Sequence, residues 1–240
     1  MENVYKNKGI SILGDSISTF RGYIPEKNAT RYPQDDLLTD VSLTWWMRVI
    51  SALGARLLVN ESFAGTQVSN GFDTNQSHLG NIGPSFAMTN MHRIENLSAN
   101  GTPDYIFLYG GTNDIARRMY PIGVFDKASA NTAQSLDTIK WDNFIAGYAA
   151  CVLRIRRRYP DSTLISILPG YVAGVYTADV LDSVNTELIK LCEHFGIKYI
   201  DLRHDGITEG NAREYLPDRL HPNADGMALI ADHILKELLS

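Results

Sequence analysis

The chain has 240 residues, of which 44% are hydrophobic and 20% charged, and a formal net charge of −5. This composition is typical of an ordinary globular protein with a substantial core, and the acidic balance argues against partners such as nucleic acid or a membrane surface. No apolar run approaches the roughly 20 residues of a transmembrane helix, and Ile10–Leu13 is too short for a signal-peptide core. We therefore expect a cytoplasmic protein, although a secreted protein without its signal would show the same pattern.

The first predicted element is a buried strand, Ile10–Leu13, that ends in a tight turn. Its apolar run stops at Gly14, and Ser16 follows two residues later. Ligands of parallel α/β sheets bind just beyond the carboxyl ends of the strands, so Ser16 is a candidate nucleophile. A serine hydroxyl also needs a base, a group that orients the base, and donors for the developing oxyanion.

Four more strands and four helices are predicted further along the chain. The strands are short, continuous apolar runs, as expected where both faces of a sheet are covered: Leu57–Val59, Tyr105–Tyr109, Leu164–Leu168 and Lys198–Leu202. Apolar residues recur at helical spacing from Trp45 to Leu53, from Ile145 to Ile155, from Leu181 to Phe195 and from Met227 to Leu238. This alternation predicts a parallel sheet between two layers of helices.

The chain shows no linker and no internal repeat, so we expect a single domain over residues 1–240. Three segments rich in polar residues and tyrosine, 21–41, 66–100 and 115–142, are predicted to be long loops, which usually carry function or disorder. Cys151 and Cys192 lie in helical apolar patterns without metal-ligand partners nearby, and we expect them to be buried free thiols.

The candidate base is His221, in the proline-bounded segment Leu216–Pro222 before the last predicted helix. Asp218 precedes it by three residues, so one turn can hold a carboxylate against the imidazole. The alternative is that Asp218 caps a turn and His221 is a solvated loop residue.

Candidate oxyanion donors follow two other strands. Asn113 comes just after the strand that ends at Tyr109, and its side-chain amide can donate to an oxyanion. Gly65 follows the second strand and can offer its N–H with no side chain in the way. The alternatives are an ordinary strand-to-helix turn with Asp114 as its N-cap, and a simple turn glycine.

Taken in order, these patterns resemble the SGNH hydrolase family, also called GDSL esterases and lipases. The resemblance runs from about residue 10 to the C-terminus. One departure is Ile17, where the family name implies leucine, and both residues are apolar. The similar blocks are Gly14-Asp15-Ser16, then Gly65, then Gly111-Thr112-Asn113-Asp114, and finally Asp218-Arg219-Leu220-His221.

The resemblance implies a fold and a mechanism. The expected fold is a flavodoxin-like three-layer α/β/α sandwich with about five parallel strands. Ser16 would be the nucleophile, His221 the base and Asp218 the residue that orients it. The N–H groups of Ser16 and Gly65 and the side chain of Asn113 would form the oxyanion hole, and Asp15 would hold the turn.

Other classes of function have less support in the sequence. A phosphatase of the haloacid dehalogenase type needs a second aspartate at the position of Ile17. We expect no cofactor and no metal ion, because phosphate-binding glycine motifs and metal-ligand spacing are both missing. The basic run Arg154–Arg158 is predicted to be a solvated helix end. A lipase, thioesterase or acyltransferase with the same triad, and an inactive binding module of the same fold, stay open.

The expected substrate is a small-molecule or glycan ester with a short acyl group, acetyl in particular. No long apolar lid segment suited to a fatty chain is evident. Tyr23, Tyr32 and Tyr120 lie in the polar loop segments, and aromatic faces among hydrogen-bonding groups suit a sugar ring. The alternative is that these tyrosines pack the loops. The sequence leaves the oligomeric state open.

Overall fold

The computed structural model describes residues 3–69, 86–117, 121–127 and 143–240. In this part of the chain, all five predicted strands are present, and their ends differ from the prediction by one residue at most. They form one parallel sheet: β1 (Gly9–Gly14), β2 (Arg56–Asn60), β3 (Tyr105–Tyr109), β4 (Thr163–Leu168) and β5 (Lys198–Asp201).

The strand order is β2-β1-β3-β4-β5, which confirms the predicted flavodoxin-like fold. β1 pairs with β2 on one side and with β3 on the other, so the direction of strand addition reverses there. Open α/β sheets bind ligands in the crevice that this reversal creates at the carboxyl ends of the strands. Ser16 follows β1 and Asn113 follows β3, so both residues lie at this crevice.

Seven α-helices lie wholly within the described residues. Four correspond to the predicted ones: α1 (Trp45–Ala52), α4 (Phe144–Arg158), α5 (Ala178–Phe195) and α7 (Ala224–Leu239). Three short helices were not predicted: α2 (Met91–Asn96), α3 (Thr112–Arg117) and α6 (Ala212–Tyr215). Such short helices carry too few apolar positions for a periodic stripe. No helix in the described ranges combines the length and the apolar character needed to cross a bilayer.

The sheet separates two apolar cores. Alternate strand residues point to opposite faces, so Ile12 packs with α1 and α7, whereas Leu13 packs with α4 and α5. Cys151 and Cys192 are free and buried on the second face, as the sequence predicts, and burial raises the pKa of each thiol to about 12.

Polar side chains cap the N-termini of α5 and α7. Thr177 accepts a hydrogen bond from the N–H of Val180 and starts α5, and Gly196 ends that helix with φ 61°. Asn223 accepts one from the N–H of Gly226 at 2.9 Å and starts α7. These caps place the turns before α5 and α7 beside the carboxyl ends of the strands.

Candidate active site

Ser16 begins a single 3-10 turn, Ser16–Ser18, directly after β1. The Asp15 carboxylate caps this turn by accepting the N–H of Ile17 at 3.0 Å. Burial raises the pKa of Asp15 to about 7. A side chain at Gly14 would come within 2.6 Å of Ser62 Oγ, so the glycine allows β1 and the segment after β2 to approach closely. Ser16 itself is 7% exposed, at the edge of the crevice.

The structure brings Ser16, His221 and Asp218 together in one hydrogen-bonded chain. His221 Nε2 lies 2.9 Å from Ser16 Oγ, and His221 Nδ1 lies 2.7 Å from Asp218 Oδ2. Because a carboxylate can only accept, the network assigns the proton to Nδ1 and leaves Nε2 to accept the proton of the serine hydroxyl. This arrangement is able to activate Ser16 as a nucleophile.

Local backbone geometry aims Asp218 at His221. Asp218 Oδ1 accepts the N–H groups of Leu220 at 3.0 Å and His221 at 2.7 Å. Arg219, which directly follows Asp218, has φ 72°, in the left-handed region that non-glycine residues seldom occupy. The segment turns tightly enough at this residue for the imidazole and the carboxylate to meet three residues apart.

Asp218 is held in its charged form. Partial burial by itself would raise its pKa, but the hydrogen bonds from the His221 ring and from two backbone N–H groups outweigh burial and hold the pKa well below its usual range. Arg31 Nη2 also donates to Asp218 Oδ2 at 2.6 Å. Sequence reasoning missed Arg31, because it lies 187 residues from Asp218 and outside any motif.

The predicted oxyanion donors lie in turns that are bonded to each other. Asn113 Nδ2 donates to the carbonyl of Thr66 at 2.9 Å, which joins the start of α3 to the turn that contains Gly65. The N–H of Phe63 donates to the carbonyl of Gly14 at 3.1 Å, which joins the same turn to the end of β1. Gly65 has φ 81°, so this turn favours glycine.

Asp114 does not cap α3, which was the alternative interpretation of this turn. It lies inside the first turn of α3 and accepts the N–H groups of Val68 at 2.8 Å and Ser69 at 3.0 Å, together with the Ser69 hydroxyl. Burial raises the pKa of Asp114 to about 6. The carboxyl group therefore holds the segment after β2 against α3.

A buried cation, Arg93 on α2, lies behind these turns and was also missed by sequence reasoning. Its side chain is 2% exposed and donates to the carbonyls of Gly14 at 3.2 Å and Glu61, and to the Thr66 hydroxyl at 2.9 Å. Its Nε lies 3.8 Å from a carboxylate oxygen of Glu61. Burial lowers the pKa of Arg93 to about 10. Arg93 thus fixes the ends of β1 and β2 relative to each other.

The basic run on α4 also makes specific contacts. Arg154 donates to the carbonyl of Thr89 at 2.6 Å, and Arg156 donates to the carbonyl of Phe195 at 2.7 Å. These two side chains tie α4 to its neighbours, in addition to the solvated role that the sequence predicts for the run.

The three candidate substrate tyrosines have different positions. Tyr23 is 42% exposed, and its ring packs against Phe20 and Trp46. Tyr32 is fully buried and donates its hydroxyl to the carbonyl of Pro222 at 2.8 Å, so it offers no surface to a substrate. The substrate-binding prediction for Tyr32 is therefore replaced by a packing role. Tyr120 lies outside the described residues, as does part of the predicted loops 66–100 and 115–142.

A small cavity lies next to the turn after β1 and the loop that carries His221. Its lining includes Ile17, the residue after Ser16, and both neighbours of His221, Leu220 and Pro222. The carboxyl group of Asp205 also faces the cavity, and burial raises its pKa to about 7. Within the described residues, no group of three His, Cys, Asp or Glu side chains is arranged to hold a metal ion.

Comparisons with known proteins add a family to this geometry. The model of a family described as GDSL-like lipase/acylhydrolase matches residues 8–238. A GDSL-like lipase structure from Bacteroides ovatus is 27% identical, with coverage of 95% of each chain and a TM-score of 0.65. One from Bacteroides uniformis is also 27% identical, with coverage of 96% of this chain and 94% of that chain and a TM-score of 0.66.

A more distant structure shares the fold alone. It is a catalytic mutant of an acetylxylan esterase from Geobacillus stearothermophilus, with 17% identity, coverage of 99% of this chain and 96% of that chain, and a TM-score of 0.58. A search of the curated proteins gave no match.

Proposed function

This chain belongs to the GDSL-like lipase/acylhydrolase family and is a hydrolase, and from that premise we propose that it cleaves short-chain acyl esters, acetyl esters in particular, through an acyl-enzyme on Ser16. The observation that carries the proposal is the continuous chain from Ser16 Oγ to His221 Nε2 at 2.9 Å and from His221 Nδ1 to Asp218 Oδ2 at 2.7 Å. This chain of contacts supports the proposed roles of nucleophile, base and orienting acid in acyl transfer.

The proposed reaction has two halves. Ser16 Oγ attacks the ester carbonyl carbon while His221 Nε2 takes the hydroxyl proton, and the resulting oxyanion is held by the N–H groups of Ser16 and Gly65 and by Asn113 Nδ2. The intermediate collapses as His221 returns the proton to the leaving alcohol. Water then attacks the acyl-enzyme with His221 again as base, which releases the carboxylic acid and restores Ser16.

The choice of a short acyl group is supported by the sequence, in which no long apolar lid segment suited to a fatty chain is evident.

A carbohydrate as the alcohol part is supported by Tyr23. Its ring is 42% exposed, and its contacts with Phe20 and Trp46 hold it in place. A fixed, exposed aromatic face is suited to stacking on a sugar ring. The acetylxylan esterase of the same fold is compatible with this choice, although at 17% identity its likeness extends to the fold alone.

The test is a screen of the pure protein against p-nitrophenyl esters of graded acyl length and against acetylated glycans, with release of acetate as the readout. We expect the highest kcat/KM for acetyl esters, and a loss of at least about 10⁴-fold in kcat for Ser16→Ala. Ser51→Ala, which changes an exposed serine on α1, is the matched control and should leave the rate unchanged. Wild-type turnover by Ser16→Ala would exclude Ser16 as the nucleophile.

The same screen separates the alternatives. Preference for long acyl chains would indicate a lipase, and preference for thioesters a thioesterase. Product formation that requires an added alcohol acceptor would indicate an acyltransferase. A protein that turns over none of these substrates would fit a binding module.

A further inference from the structure

We propose that Arg31 is a positioning residue of the catalytic triad, which holds Asp218 against His221 and offsets part of its negative charge. The inference rests on the proposed function, because it assigns His221 as the base. Arg31 comes from the segment between the turn of Ser16 and α1, and it precedes Asp218 by 187 residues.

The side chain of Arg31 shares one carboxylate oxygen with the base. Arg31 Nη2 donates to Asp218 Oδ2 at 2.6 Å, and His221 Nδ1 donates to the same oxygen at 2.7 Å. The other oxygen, Oδ1, is occupied by two backbone N–H groups. The carboxylate is thus bound on every side, and Arg31 provides the one cationic donor among these contacts.

The backbone of Arg31 reaches the other end of the triad. Its N–H donates to Thr19 Oγ1 at 2.8 Å, and the Thr19 hydroxyl donates to the carbonyl of Ser16 at 2.8 Å. One residue therefore connects the turn that carries the nucleophile with the carboxylate that orients the base. This connection passes through the Thr19 hydroxyl, whereas the chain itself separates Ser16 and His221 by 205 residues.

The next residue, Tyr32, adds further contacts with the loop that carries His221. Tyr32 donates its hydroxyl to the carbonyl of Pro222 at 2.8 Å, and its ring stands edge-on to the His221 ring at a centroid distance of 6.4 Å. The pair Arg31–Tyr32 therefore contacts both Asp218 and the loop around His221.

The charge of Arg31 affects the base as well as its position. A cation on Asp218 Oδ2 weakens the field with which the carboxylate stabilises the protonated imidazole, so His221 should release its proton more readily to the leaving alcohol. Tyr32, whose ring stands edge-on to His221, also interacts electrostatically with Asp218 and with Asp15. The Arg219 side chain lies near Gly174.

The size of this effect is bounded by solvent. The side chains of Arg31 and Asp218 are 26% and 28% exposed, so water and salt screen their interaction. We expect removal of the cation to raise the midpoint of the His221 ring titration by roughly half to one pH unit.

The experiment measures the His221 ring titration by NMR, together with the pH profile of kcat/KM, for Arg31→Met, Arg31→Lys and the wild-type protein. Arg31→Met should move both the midpoint and the acidic limb to higher pH and lower kcat more than it changes KM. Arg31→Lys keeps the cation, so its midpoint should lie close to the wild-type value. Arg21→Met, which removes an exposed arginine ten residues earlier, is the matched control and should leave the midpoint unchanged.

The outcomes separate this inference from the proposed function. An unshifted midpoint in Arg31→Met, or an equal shift in Arg21→Met, would overturn the role of Arg31 even if the wild-type protein hydrolyses esters. A shifted midpoint in a protein that does not hydrolyse esters would support the charge effect of Arg31 and contradict the proposed reaction. If Arg31→Met does not fold, judged by thermal melting, Arg31→Gln supplies the same neutral substitution with a polar end.

Discussion

At the scale of single residues, we propose that the one side-chain amide of Asn113 serves two purposes. A side-chain amide has two N–H donors, and one of them is committed to the carbonyl of Thr66 at 2.9 Å. This bond fixes the direction of the amide before any substrate arrives. The second N–H is available for charge that develops in the crevice, where a preorganised donor is most effective.

We therefore expect Asn113→Ala to lower kcat by roughly 10²–10³ with little change in KM, as for the loss of one oxyanion donor. Asn113→Asp, which keeps the shape and replaces the donors with a charged acceptor, should be impaired at least as much. Steady-state kinetics on p-nitrophenyl acetate measures both variants. A wild-type kcat for either variant would remove Asn113 from the oxyanion hole.

The residues that sequence reasoning located have a local signature, and those it missed do not. Ser16 follows an apolar run that stops at Gly14, and Asp218 and His221 share a single turn. Arg31 and Arg93 act through contacts with residues 187 and 79 positions away, respectively. Such long-range ion pairs and hydrogen bonds leave no spacing to detect in one sequence.

At the scale of elements, the start of α7 determines where His221 stands. Asn223, two residues after His221, caps α7, and its N–H donates to the carbonyl of Tyr215 at 2.9 Å. Its side-chain amide also donates to the carbonyl of Glu214. The C-terminal end of the loop that carries His221 is therefore attached to both α6 and α7.

For Asn223→Ala we expect a loss of about 1 kcal/mol in the free energy of unfolding, as for other N-caps, accompanied by a lower kcat because the His221 loop loosens. Thr177→Ala removes the cap of α5, which carries no triad residue, and should reduce stability similarly at unchanged kcat. Urea denaturation and steady-state kinetics give the two readouts. Equal kinetics for the two variants would show that the cap does not position His221.

The strands and long helices could be predicted because each carries a continuous or periodic apolar pattern, such as Tyr105–Tyr109 in β3. The short helix α2 lies in a polar segment and is held by tertiary contacts, in particular those of Arg93. Its formation depends on partners distant in the chain, so the segment alone predicts a loop.

At the scale of the whole molecule, burial of acidic groups gives the fold a pH dependence. Burial raises the pKa of Asp15 and Asp205 to about 7 and that of Asp114 to about 6, from 3.8. Between the ordinary pKa of 3.8 and these raised values, the folded protein binds more protons than the unfolded chain. The stability from these groups is therefore complete below about pH 4 and is lost as the pH rises through 6 and 7. The pKa of Asp218 is lowered instead, so its contribution to stability is present at neutral pH and is lost in strong acid.

We expect the free energy of unfolding to fall between pH 5 and pH 8, and Asp205→Asn to reduce this fall by about 2–4 kcal/mol. Asparagine can still accept the N–H of Ile207, which Asp205 Oδ1 accepts at 2.8 Å, so the fold should tolerate the change. Asp36→Asn, at an exposed position, is the control. Chemical denaturation at several pH values measures the effect, and an unchanged slope for Asp205→Asn would contradict it.

The distance in sequence between Ser16 and His221 also matters during synthesis. Ser16, the proposed nucleophile, is synthesised early, and His221, its proposed base, follows 205 residues later. Until the loop before α7 reaches the turn after β1, Ser16 lacks the His221 imidazole as a proton acceptor. We therefore expect a nascent or truncated chain without His221 to lack ester hydrolysis, and activity to require that the turn after β1 and the loop before α7 have come together.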